Sequence, residues 1–175
     1  MAFEPLALRS HEKMKDVLMH PEATGPAVHY YMIRGGSLKG NITVWESGTV
    51  GGLPAAPGRP AQAGEYIKTY GHYHVGNLDE TYSILAGEGI ALLQKLVEEN
   101  GVPQIDRVEE FKEIKVKEGD SVYMPPGFGH LVVNTGKSRL VTSDDSPVFG
   151  ADDSASMPGH ADYEMVRKMR GFAYY

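Results

Sequence analysis

Turn residues cut this chain into short pieces and leave little room for long helices. Twenty-one glycines and eleven prolines are spread through 175 residues. Between them lie short runs rich in β-branched and aromatic side chains, which favour a pleated, half-buried surface. The runs that read as strands are Val28–Ile33, Asn41–Trp45, Glu65–His74, Thr81–Leu85, Ile90–Leu96, Phe111–Val116, Ser121–Met124, Leu131–Asn134 and Leu140–Ser143. Asn100-Gly101 is a hairpin signal, because both residues tolerate positive φ. Many short strands at this spacing predict an all-β sandwich or barrel.

Helices are confined to the two ends. One is expected from a Ser10 N-cap to just before Pro21, with Met14, Val17 and Leu18 on one face. The other is expected over residues 162–170, with Met165, Val166 and Met169 as its apolar stripe and Gly171 as its stop. Residues 47–64 and 144–159 carry no pattern of either period and read as long loops. The domain reading is an N-terminal helical segment over 1–25 and a single barrel over 26–175. Ala173-Tyr174-Tyr175 resembles the start of a strand, so a trimmed C-terminus is expected.

The formal charge is −6 and no basic stripe stands out, which argues against nucleic-acid or anionic-membrane partners. The chain has no cysteine. That excludes disulfide frameworks, thiolate nucleophiles, zinc fingers and iron–sulfur clusters, and agrees with a reducing cytoplasm. No apolar run approaches the ~18 residues of a membrane span, and the N-terminus lacks the charged start and apolar stretch of a secretory signal.

The chemistry concentrates in Gly71-His72-Tyr73-His74, Glu80, and Pro125-Pro126-Gly127-Phe128-Gly129-His130. In a strand, side chains alternate between faces, so His72 and His74 share one. A turn brings Glu80 onto the next strand, on the same face as Tyr82. His130 follows a rigid Pro-Pro-Gly turn. Three imidazoles and a carboxylate suit one divalent ion, Fe2+, Mn2+, Ni2+ or Zn2+, with positions left over for water or substrate oxygens. His11 and His20 read as solvated, and His29 as having no ligand partner.

These residues match the two cupin motifs. The first reads Gly64, His72, His74, Glu80 and Gly87, and the second Gly119, Pro125, Gly127, His130 and Asn134. The match sharpens over Thr69–His74, Leu78–Tyr82, Leu85–Gly89, Ala91–Gln94, Val122–Pro126, Val133–Gly136 and Gly159–Tyr163. There the chain resembles the cupin-type glucose-6-phosphate isomerases. The likeness covers roughly residues 26–173 and is strongest over 66–136. It implies a cupin jelly-roll barrel (a double-stranded β-helix) with short peripheral helices, assembled as a homodimer. One divalent metal per subunit would be held by His72, His74, Glu80 and His130. It implies a small sugar-phosphate substrate, glucose 6-phosphate interconverted with fructose 6-phosphate, contacted by Thr43, Thr69, Gly71, Tyr82, His160 and Tyr163. Tyr30 or Tyr31 would supply an early tyrosine at the phosphate.

Such an isomerase moves a proton between C2 and C1 through an enediol, which needs a base beside the proton and positive charge beside the oxygen. Glu80 is the candidate base and Tyr82 its candidate partner. A hydride shift is the alternative route. Two other readings stand beside this one: a metal-dependent dioxygenase or sugar epimerase, and a sugar-phosphate-binding cupin without turnover. Strict alternation points Thr69 away from the face of His72, so its place at the substrate requires a twist or bulge in that strand.

Overall fold

The computed structural model describes residues 6–33, 41–52, 57, 63–146 and 161–168. Thirteen strands and two short helices lie within them. One sheet has the order β1-β2-β3-β12-β7-β10, formed by Leu6–Ser10, Val28–Ile33, Asn41–Trp45, Leu140–Asp144, Glu80–Ala86 and Ser121–Met124. The second has the order β4-β5-β11-β8-β9, formed by Thr49–Val50, Glu65–Lys68, Phe128–Asn134, Glu88–Glu99 and Val102–Lys117. A small third sheet pairs β6 (Tyr73–His74) with β13 (Ala161–Asp162). Every pairing is antiparallel. This is the all-β jelly roll with short peripheral helices that the motifs imply.

Alternation decides what faces inward. Along β3, Asn41, Thr43 and Trp45 are buried while Ile42 and Val44 are half-buried. Register carries the pattern across the sheet. Arg9, Tyr30, Trp45 and Leu140 form one buried row, and Met32, Thr43, Thr142 and Ile84 the next. Opposite them, β11 is buried along its whole length. Leu92, Val132, Val133 and Leu140 lose all contact with solvent. Each such side chain contributes roughly 1.5–3 kcal/mol by leaving water.

The N-terminal segment is part of this packing. Leu6–Ser10, where the sequence pattern gave no strand, pairs with β2 as β1. The Ser10 side chain accepts from the Lys13 amide and starts α1 (His11–Met14), which tightens into a 3-10 turn over Lys15–Val17. This is shorter than the helix expected up to Pro21. Met14 and Val17 are fully buried, as is Val166 of α2 (Tyr163–Lys168), and α2 lies against the 3-10 turn. His11 is not solvated as expected: Ala23 O accepts from its Nε2 at 2.8 Å, and its Nδ1 is 3.0 Å from His29 Nε2. His20 is exposed.

Two further expectations change in detail. The run Glu65–His74 is two strands, β5 and β6, with an irregular step between them. The loop expected over 47–64 holds β4. Asn100 and Gly101 take φ of 53° and 75° and turn β8 into β9. Beyond Lys95, β8 has left β11 and continues with β9 as a two-stranded ribbon. His160, Met169, Gly171 and Ala173–Tyr175 lie outside the described residues.

Candidate metal centre

The site begins with the irregular step. The Thr69 amide donates to Val132 O, while His72 and His130 exchange both backbone hydrogen bonds, at 3.2 and 3.0 Å. Three residue steps on one strand therefore oppose two on the other, which is a β-bulge. Gly71 lies within it at φ 83°, a conformation that suits glycine and strains other residues. The extra residue moves Thr69 onto the face of His72. The bulge that the alternation argument required is present.

His72 and His74 then stand beside His130, with ring centroids 5.0 Å (His72–His74), 4.5 Å (His72–His130) and 5.1 Å (His74–His130) apart. Glu80 opens β7 opposite Met124 of β10. Its Oε2 lies 2.9 Å from His130 Nε2 and 3.3 Å from His74 Nε2. The four donor atoms all lie within 4.8 Å of one another. Bonds of about 2.1 Å to one ion place its ligands about 3.0 Å apart when adjacent and about 4.2 Å apart when opposite, so the four groups are close enough that they could hold a single cation. Neither Glu80 Oε2 nor His130 Nε2 makes a hydrogen bond despite their closeness. Leu78 O lies 3.2 Å from His74 Nδ1. A carbonyl only accepts, so Nδ1 carries the hydrogen and Nε2 keeps its lone pair for the centre.

The electrostatics favour a charged carboxylate. Burial works to neutralise Glu80, but His130 and then His74 outweigh it and hold its pKa well below the usual carboxylate range. Burial likewise opposes a charge on His74, but Glu80 beside it leaves its pKa raised. Glu80 is 4% exposed and His130 1%, so these interactions act in a medium that screens them weakly.

The other residues singled out by the sequence divide by position. The Tyr82 ring meets the His130 ring edge-on at 5.7 Å. Tyr163, at the start of α2, packs against His72 at 5.4 Å. Thr43 lies two strands from Tyr82 on the same inner face, through the Thr43–Thr142 and Asp144–Tyr82 registers. The Thr69 hydroxyl accepts from the Val132 amide at 3.1 Å. Tyr30 is buried and Tyr31 half-buried. Asn134, the last residue of the second motif, is architectural. Its side chain donates to Glu46 O and Ser138 O and accepts from the Gly136 amide, which ties down the turn after β11. Sequence reasoning missed Arg9. It is 2% exposed, its Nε donates to the Tyr30 hydroxyl at 3.2 Å, and its guanidinium lies 5.2 Å from the Tyr163 ring centre. Only the β1–β2 pairing reveals it.

Solved structures with a similar course of chain include a predicted oxalate decarboxylase from Thermotoga maritima, 18% identical, covering 82% of this chain and 96% of that one with a TM-score of 0.44. The CENP-C cupin domain of Drosophila melanogaster is 11% identical, covering 74% of this chain and 79% of that one at a TM-score of 0.41. The capsular polysaccharide assembling protein CapF of Staphylococcus aureus is 16% identical, covering 70% of this chain and 29% of that one at 0.40. No curated protein matches the chain in sequence. The model of one family, glucose-6-phosphate isomerase (GPI), matches residues 32–175. That stretch holds all four converging donors, and the chain belongs to the glucose-6-phosphate isomerase family.

Proposed function

We propose that this protein is a metal-dependent isomerase that interconverts glucose 6-phosphate and fructose 6-phosphate. The observation that carries the reading is the convergence of three imidazoles and one carboxylate within 4.8 Å, in the interior of a barrel. His72, His74, Glu80 and His130 would hold the ion. A divalent ion there supplies positive charge to sugar oxygens as they become anionic. The native ion is Fe2+, Mn2+, Ni2+ or Zn2+, since this donor set accepts all four.

The remaining chemistry falls to the chain itself. Glu80 would take the proton from C2 of the aldose and return it to C1 while the C2 hydroxyl proton passes to the C1 oxygen, and the reverse for the ketose; this role requires its hold on the ion to be weak or exchanged for substrate. Tyr82 borders the same space and limits how the sugar lies against Glu80. Thr43, Thr69, the Gly71 backbone, His160 and Tyr163 are the proposed contacts to the sugar and its phosphate. No helix of the described residues is long and apolar enough to cross a membrane, and we place the enzyme in the cytoplasm. A homodimer is proposed from the outer sheet face, where register lines up Leu8, Tyr31, Val44 and Val141 across four strands. Leu8 is 41% exposed there.

The test uses metal-free protein reloaded with single divalent ions and assayed for conversion of fructose 6-phosphate in deuterated water. Conversion with deuterium entering C2 is the expected result. Conversion without exchange would redirect the mechanism to a hydride shift. Binding of sugar phosphate without conversion under any of the four ions would overturn the isomerase reading in favour of a binding protein.

A further inference from the structure

The bulge that presents His72 is held from outside the family match. Thr69 and His72 spend their amides on Val132 and His130, and the Tyr70 amide between them turns away from the ladder. It donates to the Tyr30 hydroxyl at 3.2 Å. That same oxygen accepts from Arg9 Nε at 3.2 Å, so its acceptor capacity is taken up by the bulge on one side and β1 on the other. The Arg9 guanidinium reaches across to Tyr163, 5.2 Å from its ring centre. Tyr163 in turn presses on Tyr70 edge-on at 5.7 Å and on His72 at 5.4 Å. One buried cation thus touches both supports of His72: the hydroxyl that fixes its backbone and the ring that backs its imidazole. Arg9 and Tyr30 both precede residue 32, where the family match begins.

We infer that Arg9 is a positioning residue for the metal centre. It acts through Tyr30 on the Tyr70–Gly71 bulge and through Tyr163 on the His72 ring. The planar guanidinium suits both tasks, since it donates in its plane and stacks over an aromatic face. Groups that orient a metal ligand from behind typically cost 10–100-fold in metal affinity when removed. The inference rests on the metal reading above, and its test separates the two.

The experiment titrates metal-free protein with Co2+ and follows both the affinity, by calorimetry, and the visible spectrum of the bound ion, which reports ligand geometry. Arg9→Met keeps the apolar stem and removes the fork. Tyr30→Phe removes only the hydroxyl and carries the test if Arg9→Met does not fold. Val17→Ala is the control, because it opens a cavity in the same N-terminal segment, beneath α2, while removing none of the hydrogen bonds and ring contacts named above. Expected are a loss of about 10–100-fold in Co2+ affinity and an altered spectrum for Arg9→Met and Tyr30→Phe. Val17→Ala should lower the thermal midpoint yet bind Co2+ as the parent does. Two results overturn the inference: variants at Arg9 and Tyr30 that bind Co2+ with parental affinity and spectrum, or an equal loss in Val17→Ala. Failure of the parent protein to bind Co2+ would overturn the metal reading itself.

Discussion

Two of the buried polar clusters in this barrel are built differently. At the N-terminal end, His11 bridges His29 Nε2 and Ala23 O. Nearby, Lys68 Nζ lies 2.5 Å from Glu65 Oε1, and Glu65 Oε2 accepts from the Met19 amide at 2.8 Å. The groups there meet in pairs, and the result fastens His11 and Met19 to the sheets. At the other cluster, Glu80 Oε2 and His130 Nε2 stand 2.9 Å apart without a hydrogen bond between them. Both belong to a set of four donors, completed by His72 and His74, that lie within 4.8 Å of one another. Pairs suit a framework, whereas four donors brought together are a set that could hold a cation.

The comparison is most easily broken at His130. His130→Ala should abolish isomerase activity and weaken divalent-ion binding by more than about 100-fold, beyond the range for residues behind the ligands. Its metal-free form should unfold at nearly the parental midpoint. Activity assays, calorimetry and metal-free thermal melts measure the three. Lys68→Met should do the reverse and cost about 3–5 kcal/mol in denaturant unfolding, because it strands the Glu65 charge. Pairing it with Glu65→Leu should recover most of that loss.

A pH series sharpens the contrast. Burial, with the charges of His11 and Lys68, lowers the His29 pKa from 6.5 to about 4. The unfolded chain therefore binds this proton before the folded one does, so stability falls as pH drops from about 6.5 toward 4. His29→Gln, whose amide still donates to His11, should flatten that window in acid-unfolding curves. The smallest effect expected is at the helix cap. Ser10→Ala removes the acceptor of the Lys13 amide and should cost about 0.5–2 kcal/mol, with metal affinity unchanged.

How much of this the sequence disclosed depends on whether a signal was local. β2, β3 and β10 match the expected runs at both ends, because alternation and turn residues bound them. The Glu65–His74 run hid a break, hinted at only by the alternation that pointed Thr69 away from the face of His72. β9 extends over Val102–Lys117 and is exposed along most of its length. With little face to bury, its glutamates and lysines show no period beyond the short apolar end at Phe111–Val116. The shared face of His72 and His74 followed from the two-residue repeat, while Glu80 and His130 joined them mostly through the family resemblance. Arg9 and Lys68 were invisible. Both are charged residues in otherwise ordinary strands, and their burial follows from partners brought in by the fold.

The register that closes the first sheet pairs Asn41 with Asp144. A growing chain must therefore leave β3 waiting while about a hundred further residues are made. The stretch from His72 to His130 is nested inside that span, and its own strands, β7, β8, β10 and β11, meet one another without needing β3. A cation held by the four proposed ligands would draw the ends of this inner loop together and shorten the free chain that the outer closure must span. Slow, long-range topology of this kind is what limits folding speed in such proteins, so an ion bound there would also hasten assembly of the barrel.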